Sequence, residues 1–170
     1  MQLTRFTDYS LRLLIFLAHR QGMPTTIRDV SDAHGVSEDH MMKVVQRLGS
    51  LGYIKTTRGR NGGISPARAP ADISIGKVVR DVESLAPVEC FLPKYDGSCL
   101  LYPNCALRGA LQSAQLQYLK ILDTYSVADV MGKDPMTATG LAAPAVIRSL
   151  PRPEVRRDGP RAVRRRAKAR

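Results

Sequence analysis

A chain of 170 residues, 44% of them hydrophobic, suits one ordinary domain or a small domain with attached pieces. No apolar run approaches the roughly 18 residues that span a bilayer. Leu11–Ala18 is too short, and starts too near acidic Asp8, for a secretion signal, so a cytoplasmic protein without a membrane partner is expected. A net charge of +11 points to a polyanionic partner, nucleic acid ahead of a membrane surface, yet residues 132–170 hold 11 Lys and Arg against three acids and leave only +3 on residues 1–131.

The first helix is expected to start at Thr7, whose hydroxyl suits a cap, with Asp8 in the first turn favoured by the helix dipole. Leu11, Leu14, Ile15 and Ala18 form its inward face, and Leu13, Phe16 and Leu17 widen it. A short second helix carries Ile27, Val30 and Ala33 on one face and ends at Gly35, a residue that accepts the left-handed conformation found past helix ends. Val36 plugs the turn, and Ser37 caps the third helix ahead of acidic Glu38 and Asp39. Met41, Val44, Val45, Leu48 and Leu51 recur at spacings of three and four as a core stripe. Lys43, Gln46 and Arg47 face the other way, with His40 on the border.

Two short helices, a glycine turn and a second helix with a polar outer face make a helix-turn-helix, though periodicity alone also describes a plain helical hairpin. The next segment of the chain separates the two. Gly52–Thr57 has strand character, and Asn61-Gly62 within Arg58–Gly63 is a hairpin turn signal. A basic hairpin after a helix-turn-helix is the wing of a winged helix. The third helix would enter the major groove of duplex DNA. The expected DNA-facing residues are Ser37, His40, Lys43 and Arg47 of that helix region and Arg58, Arg60 and Asn61 of the wing. Lys43 and Arg47 by themselves equally suit a solvated face.

A connecting helix is expected over 74–85, followed by a loop over 88–105 that holds every cysteine of the chain: Cys90, Cys99 and Cys105. An odd number of cysteines argues against a disulfide framework. Free cysteines commonly serve as small buried apolar groups, but three within one Pro/Gly-bearing loop fit that poorly. Clustered thiolates suggest a soft metal, and spacing leaves iron–sulfur and zinc both open. Structural zinc takes four ligands, and positions 106–108 are Ala, Leu and Arg, so a fourth ligand must come from elsewhere.

A long helix from Ala106 to Tyr125 shows the seam Leu107, Leu111, Ala114, Tyr118, Ile121 and Tyr125. Its alternating spacings of four and three are coiled-coil-like, and a second copy of the chain is the economical partner. Such a homodimer implies a palindromic operator. Residues 132–170, with five prolines and the basic run Arg161–Arg170, are expected to be a disordered tail, either merely solvated or touching phosphates without sequence preference.

The opening Met1-Gln2-Leu3-Thr4-Arg5-Phe6-Thr7-Asp8-Tyr9, the wing Arg58-Gly59-Arg60-Asn61-Gly62-Gly63 and the three-cysteine loop together resemble the Rrf-type iron–sulfur transcriptional regulators. The resemblance covers about residues 1–131 and is strongest to the family's nitric-oxide-sensing repressors. It implies a 4Fe–4S cluster (2Fe–2S being the other option) on Cys90, Cys99 and Cys105. Asp8 of the other subunit would be the fourth ligand, although by position alone Asp8 is a helix-dipole acid. Nitric oxide would be the signal that releases genes of nitrosative stress. The family's iron–sulfur-biogenesis branch places a histidine three positions after the third cysteine, where this chain has Arg108.

The expected fold is mainly α with a small β wing: a winged helix-turn-helix over 1–85, a cluster-binding loop and dimerisation helix over 86–131, and the tail. The competing functions are an iron-responsive repressor and a zinc-stabilised DNA-binding module without sensing. An enzyme is not expected, because the sequence holds no glycine-rich nucleotide fingerprint, no Ser/His/Asp set and no paired carboxylates.

Overall fold

The computed structural model describes residues 2–20, 23, 25–59 and 62–132, all within the compact unit Met1–Asp134. Arg60, Asn61 and the expected tail beyond Gly132 lie outside the described residues. In chain order the elements are α1 (Arg5–His19), α2 (Ile27–His34), α3 (Glu38–Ser50), β1 (Ile54–Thr57), β2 (Gly63–Pro66), α4 (Ile75–Val82), α5 (Ala106–Asp123) and α6 (Val127–Val130). Among the described residues the chain is thus mainly helical with one small antiparallel sheet, in which Ile54 pairs with Pro66 and Thr57 with Gly63.

The core lies where α1 meets α3, α4 and α6, because these helices each bring an apolar face to it. Leu13, Leu17, Val30, Met41, Leu48 and Val78 are among its fully buried members. α1 starts earlier than expected. Its cap is Thr4, whose hydroxyl accepts the Thr7 backbone N–H at 3.4 Å. Thr7 is itself fully buried, and its hydroxyl donates to Glu83, a long-range partner that no local pattern reveals. The buried face of α1 centres on Leu13, Leu14 and Leu17, with Leu11 and Ile15 only half-buried, because neighbours cover this helix on several sides.

On α2 the expected stripe is rotated. Ala33 is exposed, while Val30 and Ser31 are buried. The turn comes after His34, whose ring meets Phe16 edge-on at 5.6 Å. Gly35 does end the helix, at φ 62° and ψ 37°. Ser37 does cap α3, accepting the His40 N–H at 3.4 Å. Tyr53 packs in the core and donates its hydroxyl to the Asp81 carboxylate at 2.6 Å, so burial first and that bond second push its phenol above the ordinary range.

α4 is shorter than the expected 74–85, capped by Ser74 and ending at Val82. Gly76 allows its contact with α5, because a Cβ there would meet the Asp123 backbone nitrogen at 2.8 Å. Arg80 clamps the same Asp123 with two hydrogen bonds of 2.5 Å. α5 stops at Asp123 rather than Tyr125, since the Tyr125 carbonyl turns away to accept the Ile75 N–H at 2.9 Å. The short α6 was not expected. It is set by a capping box between Ser126 and Asp129, and by Val127, which is fully buried.

Candidate DNA-binding face and cysteine cavity

α3 presents Met42, Lys43, Gln46 and Arg47 outward, all exposed. The expected DNA-facing residues separate here. Lys43 and His40 line a cleft of about 380 Å³ together with Val44 and with Arg5, Phe6 and Tyr9 of α1. Arg47, while exposed, donates one guanidinium N–H to the Asp81 carbonyl at 2.8 Å. Ser37 uses its hydroxyl as the helix cap. Arg58 is exposed at the tip of the wing, beside Gly59, which holds a φ of 108° open only to glycine.

The cleft adds Arg5 and Tyr9 to the face. They lie one helical turn apart at the N-terminus of α1, where the dipole is positive, so the cleft suits a backbone phosphate. Spacing within Arg5-Phe6-Thr7-Asp8-Tyr9 could have pointed to them. Met42, 53% exposed, is a further outward residue, suited to a thymine methyl contact.

The three cysteines meet in a second cavity of about 410 Å³, walled by Val88, Leu101, Leu107 and Leu111. Cys90 and Cys105 are half-buried and Cys99 exposed, all as free thiols. Cys90 sits in a single 3₁₀ turn, Glu89–Phe91. The Cys99 N–H donates to the Tyr95 hydroxyl at 2.6 Å. Cys105 caps α5, its Sγ accepting the Arg108 N–H at 3.4 Å. Among the described residues, no three Cys, His, Asp or Glu side chains converge on one point for a single metal ion. Asp8 does not line this cavity; it pairs with Arg12 at 2.8 Å, its side chain 42% exposed.

Several large apolar side chains lie exposed around this cavity and along α5. Leu92, Leu100, Leu101 and Leu107 are all exposed, and so are Ile121 and Tyr125 of the expected seam. In α5 only Leu119 is buried. A groove of about 560 Å³ runs beside the seam, lined by Leu111, Ala114, Gln115 and Tyr118 and by Ser84–Pro87.

The family "Rrf2: Iron-dependent Transcriptional regulator" matches residues 3–133. The chain is 49% identical over 133 residues to the HTH-type transcriptional regulator NsrR of Geobacillus kaustophilus, covering 77% of this chain and 90% of that protein. It is 46% identical to NsrR of Bacillus subtilis over the same shares. Among solved structures, the global cysteine regulator CymR of B. subtilis superposes with a TM-score of 0.61 at 24% identity, over 77% of this chain and 96% of that one. IscR of T. potens gives 0.61 at 21%, over 86% and 96%. These two show the shared winged-helix fold. No helix among the described residues is long and apolar enough to cross a membrane. The chain belongs to the Rrf2 family of transcriptional regulators.

Proposed function

We propose that this regulator is a cytoplasmic, homodimeric repressor that binds a palindromic operator and releases it when nitric oxide reaches an iron–sulfur cluster. The observation that carries the reading is that all three cysteines of the chain line one apolar cavity. Three cysteines on one cavity are the donor set that an iron–sulfur cluster takes, with one position left for a ligand from elsewhere. Cys90, Cys99 and Cys105 would hold a 4Fe–4S cluster, and the partner's Asp8 would supply the fourth ligand. Bound there, the cluster supplies iron able to react with nitric oxide.

The chain's own residues explain how the cysteine loop reaches DNA. The loop begins just after α4. The Gln115 side-chain amide holds the Leu85 carbonyl, and Glu83 accepts hydrogen bonds from Thr4 and Thr7 of α1. Two residues earlier, Asp81 takes Arg47 of α3 on its carbonyl and Tyr53 on its carboxylate. A loop that shifts on signal therefore pulls on the segment that positions the recognition helix. Residues 1–85 bind DNA, and residues 86–131 hold the cluster and pair the subunits. The exposed seam and its groove support that pairing. Arg58, Arg60, Asn61, Arg5 and Lys43 would contact DNA.

A second reading is iron availability as the signal, which the family's description as iron-dependent favours. Substituting each cysteine in turn tests the shared ground. Cys90→Ser, Cys99→Ser and Cys105→Ser should each abolish bound iron and sulfide after anaerobic purification. A variant that keeps both at the wild-type level removes that residue from the ligand set.

A further inference from the structure

Arg108 leaves the first turn of α5 half-buried and lines the same cavity as the three cysteines, where it is the only cation among the described residues. Its Nε donates to the Cys90 carbonyl at 3.4 Å. Its guanidinium carbon lies 5.4 Å from the Phe91 ring centroid and 5.9 Å from that of Tyr102. Tyr102 meets Tyr95 edge-on at 5.4 Å, and Tyr95 holds the Cys99 backbone. The Arg108 backbone N–H reaches Cys105 Sγ. This one residue therefore touches the surroundings of every cysteine, directly or through one pair of rings.

We propose that Arg108 is the positioning residue and internal counter-cation of the cysteine site. The positioning role stands on the contacts above; the charge role rests on the cluster reading. Ligated to a cluster, the three cysteines would carry negative charge beside apolar walls, where a nearby cation stabilises it. Glu89, the carboxylate of the described lining, is exposed. Net charge is one of the factors that set a cluster's reduction potential, so a cation beside the cluster favours the reduced, more negative form. Only a planar guanidinium can lie against two rings while donating to a carbonyl; a lysine keeps the charge and loses the stacking.

Arg108→Met and Arg108→Lys separate the two roles. In the anaerobically purified protein, titrated with dithionite in the presence of redox mediators, Arg108→Met should take its electron at a lower potential than wild type. Arg108→Lys should stay close to wild type. In the cluster-free proteins, amides of residues 89–105 should exchange hydrogen roughly three- to tenfold faster in both variants, with the α3 amides as the control for folding. An Arg108→Met potential equal to wild type overturns the charge role, and unchanged exchange overturns the clamp. A wild-type protein that carries no cluster contradicts the cluster reading and the charge role together, and the exchange comparison then decides the clamp alone.

Discussion

The Thr7 hydroxyl donates to the Glu83 carboxylate at 2.5 Å across 76 residues of sequence, joining the start of α1 to the end of α4. Thr4 adds its backbone N–H at 2.8 Å and its hydroxyl at 2.9 Å to the same oxygen. Burial works to raise the Glu83 carboxyl, but the bonds from Thr7 and Thr4 outweigh it and hold it below its ordinary 4.5. Glu83→Ala removes the carboxylate acceptor of the buried Thr7 hydroxyl and leaves it only the 3.2 Å contact with Thr4 Oγ1, which costs on the order of 1 kcal/mol. Urea unfolding checks this. Because the folded carboxyl is depressed, its contribution is present above about pH 4.5 and fades below it, and the variant should lose that dependence.

His34 gives a second, separable pH dependence. Burial first, and the Arg12 charge second, lower its imidazole below the ordinary 6.5, with Asp8 opposing. Its buried Nε2 has no hydrogen-bond partner among the described residues. A histidine kept neutral by folding contributes fully above about pH 6.5 and loses that contribution as pH falls toward its lowered value. His34→Phe keeps the aromatic contact with Phe16, and its melting temperature should fall less than wild type's between about pH 7.5 and 5. An equal fall in both proteins shows that His34 does not carry it.

On the DNA face, Arg5→Ala and Lys43→Ala should each reduce the slope of log affinity against log salt by about 0.9, the value of one lost phosphate contact. Operator and scrambled duplex should weaken alike. Arg47→Ala should leave that slope unchanged, because the Arg47 guanidinium is held by the Asp81 carbonyl. Fluorescence anisotropy over a salt series reads all three.

For the dimer, Ile121→Glu places a charge on the exposed seam, where Ile121 is 59% exposed in a single chain. The single chain has no reason to misfold, and circular dichroism should be unchanged. Burying that charge against a second copy costs on the order of 3 kcal/mol, roughly a hundredfold in the dimer dissociation constant. Sedimentation equilibrium should give the mass of a dimer for wild type and of a monomer for the variant.

Much of the fold was legible in the sequence because it is local. The αL glycine at 35, the Ser37 cap, the α3 stripe and the two wing strands all arise from neighbouring residues. The misread parts depend on distant ones. Thr7 looked like a cap because its partner Glu83 lies far along the chain. Ala33 looked inward by spacing, but burial on α2 falls on Val30 and Ser31, and His34 beyond it meets Phe16 edge-on. Arg47 donates to the Asp81 carbonyl, a contact 34 residues away that no local spacing announces. The cysteines were legible as a group; their common cavity with Arg108 was not, since it forms only when α5 folds back beside the loop.

Nitric oxide added stepwise to the anaerobically purified protein, with visible spectrum and operator binding recorded together, is the decisive test of a cluster that governs DNA binding. The expected result is a brown protein with broad absorption near roughly 400 nm, which bleaches in step with loss of the operator. A colourless, zinc-containing protein, or a cluster that reacts while operator affinity holds constant, would contradict the sensor mechanism.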